Sequence, residues 1–143
     1  LMIIRERLLM APRTIIMTRM RRYVMEGDRV FINFTNHPSR GWGEEQMLEA
    51  KRYGEVIDLT FPEVDPYGDK KYVTKLAEKY TERLLKMHPA VVLCQGEFCL
   101  VYQVVAGLKE KGVKVVAACS ERIVEEQDGK KVSVFGFRGF REY

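Results

Sequence analysis

Polar and aromatic side chains that can bind a ligand follow four predicted β-strands, each at the point where the strand ends. They are Asn36, His37, Ser39 and Trp42 after the first strand, Glu63 and Asp65 after the second, Gln95, Gly96 and Glu97 after the third, and Ser120, Glu121 and Arg122 after the fourth. In open parallel sheets the carboxyl ends of the strands share one edge, and ligands bind there. We therefore expect these groups to converge on one site.

The segment after the first strand offers the widest range of chemistry. His37 is a candidate general acid or base, because imidazole titrates near neutral pH. Asn36 and Ser39 can hydrogen-bond to the edge of a base or a ribose, and the Trp42 indole can stack on a base. A structural interpretation competes with this one. An Asn-His-Pro-Ser run also forms helix-entry loops in which Asn36 or Ser39 caps backbone N–H groups, and Trp42 is equally suited to surface packing.

The segments after the third and fourth strands suit an anionic ligand. Gly96 would let a phosphate approach the backbone at a helix start, where free N–H groups and the helix dipole favour negative charge. Arg122 offers a planar fork of donors for the same group. Each of these residues also has a structural interpretation that does not involve a ligand. Gln95 and Gly96 can form a tight strand–helix turn, Glu97 can complement the helix dipole, and Glu121 can form a salt bridge with Arg122.

The elements that must position these residues alternate between strands and helices. Predicted strands are Val30–Phe34, Val56–Leu59, Ala90–Cys94 and Val113–Cys119, and predicted helices are Glu44–Tyr53, Lys70–Met87 and a segment from Gly96 to Gly112. Asp128-Gly129, flanked by Arg122–Glu126 and Lys131–Phe137, predicts a β-hairpin, and residues 138–143 form a tail. The pattern predicts an α/β fold, a Rossmann-like mostly parallel sheet with helices on both faces and a C-terminal β-hairpin.

Length and charge bound the domain organisation. The chain has 143 residues, which suits one domain. We assign residues 1–25 to an N-terminal extension of uncertain structure and residues 26–143 to a single Rossmann-like domain. The net charge is +4, and six Arg against one Glu give residues 1–25 a charge of +5, so the remainder carries −1. A near-neutral domain argues against binding of long nucleic acid.

Several other classes of protein are also disfavoured. The sequence contains no P-loop, no GxGxxG and no GxSxG motif. Three cysteines in apolar surroundings, with no CxxC pair, argue against a disulfide framework and fit small buried side chains. We expect no metal centre and no cofactor, since only two scattered histidines occur. No apolar run is long enough to span a membrane, so we expect a cytoplasmic protein without membrane contact.

The motifs together resemble a known family. Asn-His-Pro-Ser after the first strand, Leu-Cys-Gln-Gly-Glu after the third, Ala-Ala-Cys-Ser-Glu-Arg after the fourth and the closing Phe-Arg-Gly-Phe-Arg-Glu-Tyr are similar to small CRISPR-associated proteins of the Csx type. These are Rossmann-like relatives of CARF domains. The resemblance covers residues 30–143.

This resemblance implies binding of cyclic oligoadenylate, the second messenger of type III CRISPR antiviral defence, across the interface of a homodimer. Some such proteins are metal-independent ring nucleases and others only sequester the ring. Carried onto this sequence, the resemblance and the chemistry above make His37, Ser120 and Arg122 the candidate catalytic residues. The candidate ligand-binding residues are Asn36, Ser39, Trp42, Gln95, Gly96, Glu97, Glu121 and Arg138.

Three alternatives remain open at this point. The first is a binding module with the same pocket and no turnover, acting as a sponge or a sensor. The second is an enzyme of the nucleoside deoxyribosyltransferase type, with Glu97 as the nucleophile. The third is a structural partner protein with no affinity for nucleotides.

Overall fold

Strands and helices alternate along residues 29–143, which are the residues that the computed structural model describes. The strands are β1 (Val30–Phe34), β2 (Glu55–Asp58), β3 (Pro89–Cys94), β4 (Lys114–Gln127) and β5 (Lys130–Glu142), and the helices are α1 (Glu44–Lys51), α2 (Lys70–Lys86) and α3 (Phe98–Glu110). A short 3-10 turn, Ser39–Gly41, precedes α1. The predicted elements up to α3 are therefore present, with ends shifted by at most two residues.

The strands form one sheet in the order β2-β1-β3-β4-β5. Strands β1 to β4 pair in parallel, and β5 pairs antiparallel with β4. The chain moves from β1 outward to β2 and then crosses to β3 on the other side of β1. The strand order thus reverses between β1 and β3, and in doubly wound sheets this switch point opens a crevice beyond the strand ends.

Helices cover both faces of the sheet because side chains alternate between the faces along each strand. On one face Ile32, Phe34, Val92 and Cys94 belong to a core with residues of α2 and α3. On the other face lies a smaller core of Phe31, Val91, Leu93 and Val116 with Ala50 of α1. The predicted fold class, a mostly parallel sheet with helices on both faces and a C-terminal hairpin, is confirmed.

Helix α2 shows how the sequence sets one of these layers. Its N-cap residue Asp69 accepts a hydrogen bond from the Tyr72 N–H through its side chain at 2.9 Å. The buried residues Val73, Ala77 and Leu84 follow the helical spacing and face the sheet. Removing the Leu84 side chain from water contributes about 1.5–3 kcal/mol to folding.

The C-terminal part of the chain differs from the prediction. Strand β4 does not end at Cys119 but continues to Gln127, and β5 continues through the predicted tail to Glu142. The turn residues Asp128 and Gly129 have φ of 52° and 75°, the positive values that a tight hairpin turn requires. Because each strand satisfies the other's backbone hydrogen bonds, the pair extends beyond the parallel sheet as an arm, residues 120–137.

The three cysteines differ in their surroundings, which the sequence did not show. Cys94 is buried, Cys119 is half-buried and Cys99 is exposed, and all three are free thiols. The expectation of a buried side chain was therefore wrong for Cys99, which is exposed in the first turn of α3. Burial raises the pKa of the Cys94 thiol to about 12, so Cys94 is a packing residue.

The predicted N-terminal extension, residues 1–25, lies outside the residues that the structure describes. The boundary at residue 26 therefore stays a prediction. Among residues 29–143 no helix is both long and apolar enough to span a membrane.

Candidate functional site

A cavity of about 470 Å³ lies at the switch point, beyond the carboxyl ends of β1 and β3 and on the α1 face of the sheet. It is lined by Thr35, His37, Gly41, Trp42, Gly43, Gln46, Leu93, Gln95, Ala118, Ser120, Phe135 and Phe137. This size and mixture of apolar and polar groups are typical of sites for one small molecule.

The cavity has an apolar floor and aromatic groups on two sides. Leu93 and Ala118 form the floor, since both point to the α1 face of the sheet. Phe137 is paired with Ser120 across the arm, so the two side chains share one face. On the opposite side the Trp42 ring packs edge-on against Phe31, with centroids 6.2 Å apart.

A hydrogen-bond network sets the conformation of the segment after β1. The buried Asn33 side chain donates from Nδ2 to the His37 carbonyl at 2.8 Å and to Asp58 Oδ1 at 3.0 Å. Its Oδ1 accepts from Thr35 Oγ1 at 2.8 Å, and the His37 N–H donates to Thr35 Oγ1 at 3.1 Å. Every polar atom of the Asn33 amide is used. The backbone of His37 is therefore fixed at the edge of the cavity, which this residue lines.

Asp58, at the end of β2, extends this network to the next turn. Its Oδ2 accepts a hydrogen bond from the Ser39 N–H at 3.1 Å. Ser39 thus contributes its backbone to the anchor and does not line the cavity. Asn36, between the anchored residues, is exposed and does not line the cavity either.

Gln95 bridges β3 and β4 at the cavity floor. Backbone pairing between these strands ends at Leu93 and Val116. Two residues further along, the Gln95 side chain makes the contact between the two strands, because its Oε1 accepts a hydrogen bond from the Ala118 N–H at 3.0 Å. This contact holds β4 beside β3 at the point where the arm leaves the sheet.

The start of α1 opens onto the same cavity. Gly43 is the N-cap residue, and no side chain caps the helix there. A Cβ atom at Gly41 or at Gly43 would meet nothing within 4 Å, so ligand atoms can approach the backbone closely. Glu44 and Glu45 in the first turn already complement the helix dipole.

Gly96 and Glu97 support the fold and do not line the cavity. A Cβ on Gly96 would lie 2.5 Å from the Phe61 ring, so the glycine makes room for a buried aromatic side chain. Glu97 is the N-cap residue of α3 and accepts from Cys99 N–H at 3.1 Å and Leu100 N–H at 2.8 Å. The backbone hydrogen bond from Leu100, more than that from Cys99, lowers the pKa of the Glu97 carboxyl. The anion-binding role expected for this helix start is taken by the protein's own carboxylate.

The remaining candidate residues lie on the arm or directly next to it, and they are divided between its two faces. Arg122 lies on the same face of β4 as Ser120, two residues further out and opposite Phe135. Its guanidinium donates from Nε and Nη2 to Ser133 Oγ at 3.1 and 2.9 Å, and it does not line the cavity in this arrangement.

Glu121 points to the opposite face of the arm because it neighbours Ser120 in the strand. It pairs with Arg138, whose Nε donates to Glu121 Oε2 at 2.8 Å. Neither residue lines the cavity. The salt bridge expected between Glu121 and Arg122 therefore forms with Arg138, since adjacent strand residues face opposite ways.

The structure brings His37, Trp42, Gln95 and Ser120 together and leaves the other candidates outside the lining. Sequence reasoning missed Asn33 and Asp58, although a polar residue in each apolar strand was a usable signal. It also missed Phe135 and Phe137, whose role depends on where the arm folds. The lining contains no Lys, Arg, Asp or Glu, and residues 29–143 contain no group of three metal-ligating side chains.

The fold and the cavity define a Rossmann-like α/β protein with a candidate small-ligand site at the topological switch point. The chain belongs to the family described as the Uncharacterized protein MJ1673 family, whose model matches residues 29–141. No curated protein matches the chain.

Proposed function

We propose that this chain binds cyclic oligoadenylate at the switch-point cavity and cleaves it without a metal ion, as a ring nuclease of type III CRISPR defence. The observation that carries the proposal is the cavity lining, which combines aromatic rings, neutral hydrogen-bond donors and one histidine at the end of β1. Aromatic rings suit an adenine base, and hydroxyl and amide groups suit ribose and phosphate oxygens. The resemblance to small Csx-type proteins is the reason for proposing a cyclic oligoadenylate, and not another nucleotide, as the ligand.

The proposed reaction is attack of a ribose 2′-hydroxyl on the neighbouring phosphorus. The bond between O2′ and phosphorus forms, the bond between phosphorus and O5′ breaks, and O5′ takes up a proton. His37 accepts the 2′-hydroxyl proton or supplies the proton to O5′, and solvent water takes the other of these two roles. Ser120 donates a hydrogen bond to a non-bridging oxygen. Arg122 would turn from Ser133 toward the cavity to stabilise the developing charge. Orientation of the attacking group supplies much of the rate.

A homodimer follows from the size of the ligand. A cavity of about 470 Å³ suits a single small molecule, whereas a ring of four or six nucleotides is much larger. Two copies would therefore present their cavities to one ring. The arm offers exposed apolar residues on both faces, with Val124 and Phe135 on one face and Val132 and Val134 on the other.

The test is incubation of the full chain with cyclic tetra-adenylate and cyclic hexa-adenylate in EDTA, followed by chromatography of the products. We expect linear products. His37→Ala should slow their formation by roughly 10²-fold or more, the contribution of a general acid or base. Ser120→Ala and Arg122→Ala should also slow cleavage. Arg83→Ala, on the exposed side of α2, is the matched control and should cleave at the wild-type rate. A strict requirement for a divalent metal would contradict the mechanism.

One observation favours a second function, binding without turnover. The lining contains no Lys or Arg, and Arg122 is held by Ser133, so charge stabilisation requires that side chain to move. Intact ring retained by the protein after long incubation would assign the chain as a sponge or sensor. If the protein neither cleaves nor retains the ring, cyclic oligoadenylate is not its ligand.

The structure offers less support for a deoxyribosyltransferase with Glu97 as nucleophile. That role needs a carboxylate free to attack inside the cavity. Glu97 instead caps α3 through two N–H contacts and does not line the cavity.

A further inference from the structure

The orientation of the Gln95 carboxamide is fixed by the backbone. A peptide N–H is a donor only, so the atom that faces the Ala118 N–H at 3.0 Å must be the amide oxygen. The NH₂ group is then at the other end. Gln95 lines the cavity, and its Nε2 has no hydrogen-bond partner among the described residues. Every buried side-chain N or O atom of residues 29–143 has a hydrogen-bond partner. Because Nε2 has no such partner, it is not buried, and a ligand can reach it.

A second donor lies on the same floor. Ser120 is two residues beyond Ala118 on β4, so its side chain points to the same face and also lines the cavity. Gln95 and Ser120 are thus neighbouring neutral donors, with no acidic side chain in the lining to accept from a ligand.

We propose that Gln95 binds the backbone of the ligand by donating from Nε2 to a non-bridging phosphodiester oxygen. A glutamine that reads adenine needs its oxygen to accept from N6 while its nitrogen donates to N7. Here the Ala118 N–H already takes one of the two lone pairs of the oxygen, whereas Nε2 has no partner among the described residues, so the donor is the freer end of the amide. A phosphodiester oxygen needs donors alone. This inference rests on the proposed function, since it takes cyclic oligoadenylate as the ligand.

Gln95→Glu separates the two roles of the side chain. One carboxylate oxygen can still accept from the Ala118 N–H, so the melting temperature should stay close to that of the wild type. The second oxygen replaces the donor with a negative acceptor and repels the phosphodiester. We expect binding of cyclic tetra-adenylate, measured by calorimetry, to weaken roughly ten- to hundredfold. Gln103→Glu on α3 makes the same change in net charge outside the cavity and should bind as the wild type does.

A phosphorothioate ring tests the contacted atom. Replacing non-bridging oxygens with sulfur should weaken wild-type binding and have a smaller effect on Gln95→Glu. Equal affinity of Gln95→Glu and wild type, or an undiminished sulfur effect in the variant, would overturn the role of Gln95 while the proposed function stands. If the wild type binds neither the tetra- nor the hexa-adenylate ring, the proposed function fails and the Gln95 assignment fails with it.

Discussion

Asp58 at the end of β2 accepts a hydrogen bond from the buried Asn33 of β1, with Asp58 Oδ1 3.0 Å from Asn33 Nδ2. The same carboxylate accepts from the Ser39 N–H, and the same amide donates to the His37 carbonyl. Two neighbouring strands therefore hold the segment that carries His37 into the cavity. Neither Asp58 nor Asn33 lines the cavity, so both act through the position of this segment.

Asp58→Ala should destabilise the protein by about 1–3 kcal/mol, because it leaves one N–H of the Asn33 amide and the Ser39 N–H without an acceptor. It should also weaken ligand binding, since the Asn33 amide that holds the His37 carbonyl loses the partner that orients it. Chemical denaturation and calorimetry measure the two effects. Asp65→Ala is the control, because Asp65 accepts from the Tyr67 N–H in an exposed loop away from the cavity. Equal stability of the two variants would contradict the anchoring role.

Gly96→Ala should destabilise the protein by about 1–3 kcal/mol through overpacking. The added methyl group would lie 2.5 Å from the ring of Phe61, which is 2% exposed and packs on Phe34. Gly41→Ala adds the same group in open space and should change the free energy of unfolding by less than about 0.5 kcal/mol. Wild-type stability of Gly96→Ala would show that Phe61 moves at little cost.

Glu97→Ala should destabilise the protein by about 0.5–2 kcal/mol at neutral pH through loss of the α3 cap, and ligand binding should be unaffected. The lowered pKa of Glu97 sets the pH dependence. A carboxyl whose pKa is lower in the folded state stabilises above its unfolded pKa, about 4.3, and loses this contribution as pH falls through the folded value.

The difference in melting temperature between wild type and Glu97→Ala should therefore shrink as pH falls from 7 to about 3. Glu78→Ala, an exposed position within α2, is the control and should show little difference at either pH. A difference that is constant with pH would mean that the charge of Glu97 does not contribute.

Tyr143→Phe should destabilise the protein by about 0.5–1.5 kcal/mol, because the Tyr143 hydroxyl donates to the Cys94 carbonyl at 2.7 Å. Burial, with a smaller contribution from Cys94, raises the pKa of Tyr143. The wild type should therefore keep this stabilisation below pH about 10 and lose it as pH rises through the higher folded value. Thermal unfolding at pH 8 and at high pH measures the effect. Tyr67→Phe, at a side chain that is 95% exposed, should have no effect at either pH.

The candidate site could be predicted in part. His37 and Gln95, which follow β1 and β3, line the cavity because parallel strands end at one edge and the switch point lies between these two. Their neighbours Asn36 and Gly96 do not line it. The positions of the residues expected after the fourth strand were harder to predict. Ser120 reached the cavity, but Glu121 turned to the other face, since the strand did not end where the apolar run ended. No local pattern marks the end of a strand that gains a partner on one side only.

The sequence by itself determined the α/β class, the positions of the helices and the hairpin turn, since hydrophobic spacing, caps and Asp128-Gly129 act over a few residues. Only the tertiary structure decided which polar residues bind and which support the fold. Gly96 makes room for Phe61, Glu97 caps α3 and Asp58 anchors Asn33, and each contact except the cap joins different strands or loops. A side chain's partners depend on chain segments that meet only when the sheet is assembled, and the spacing of residues along the sequence does not contain that information.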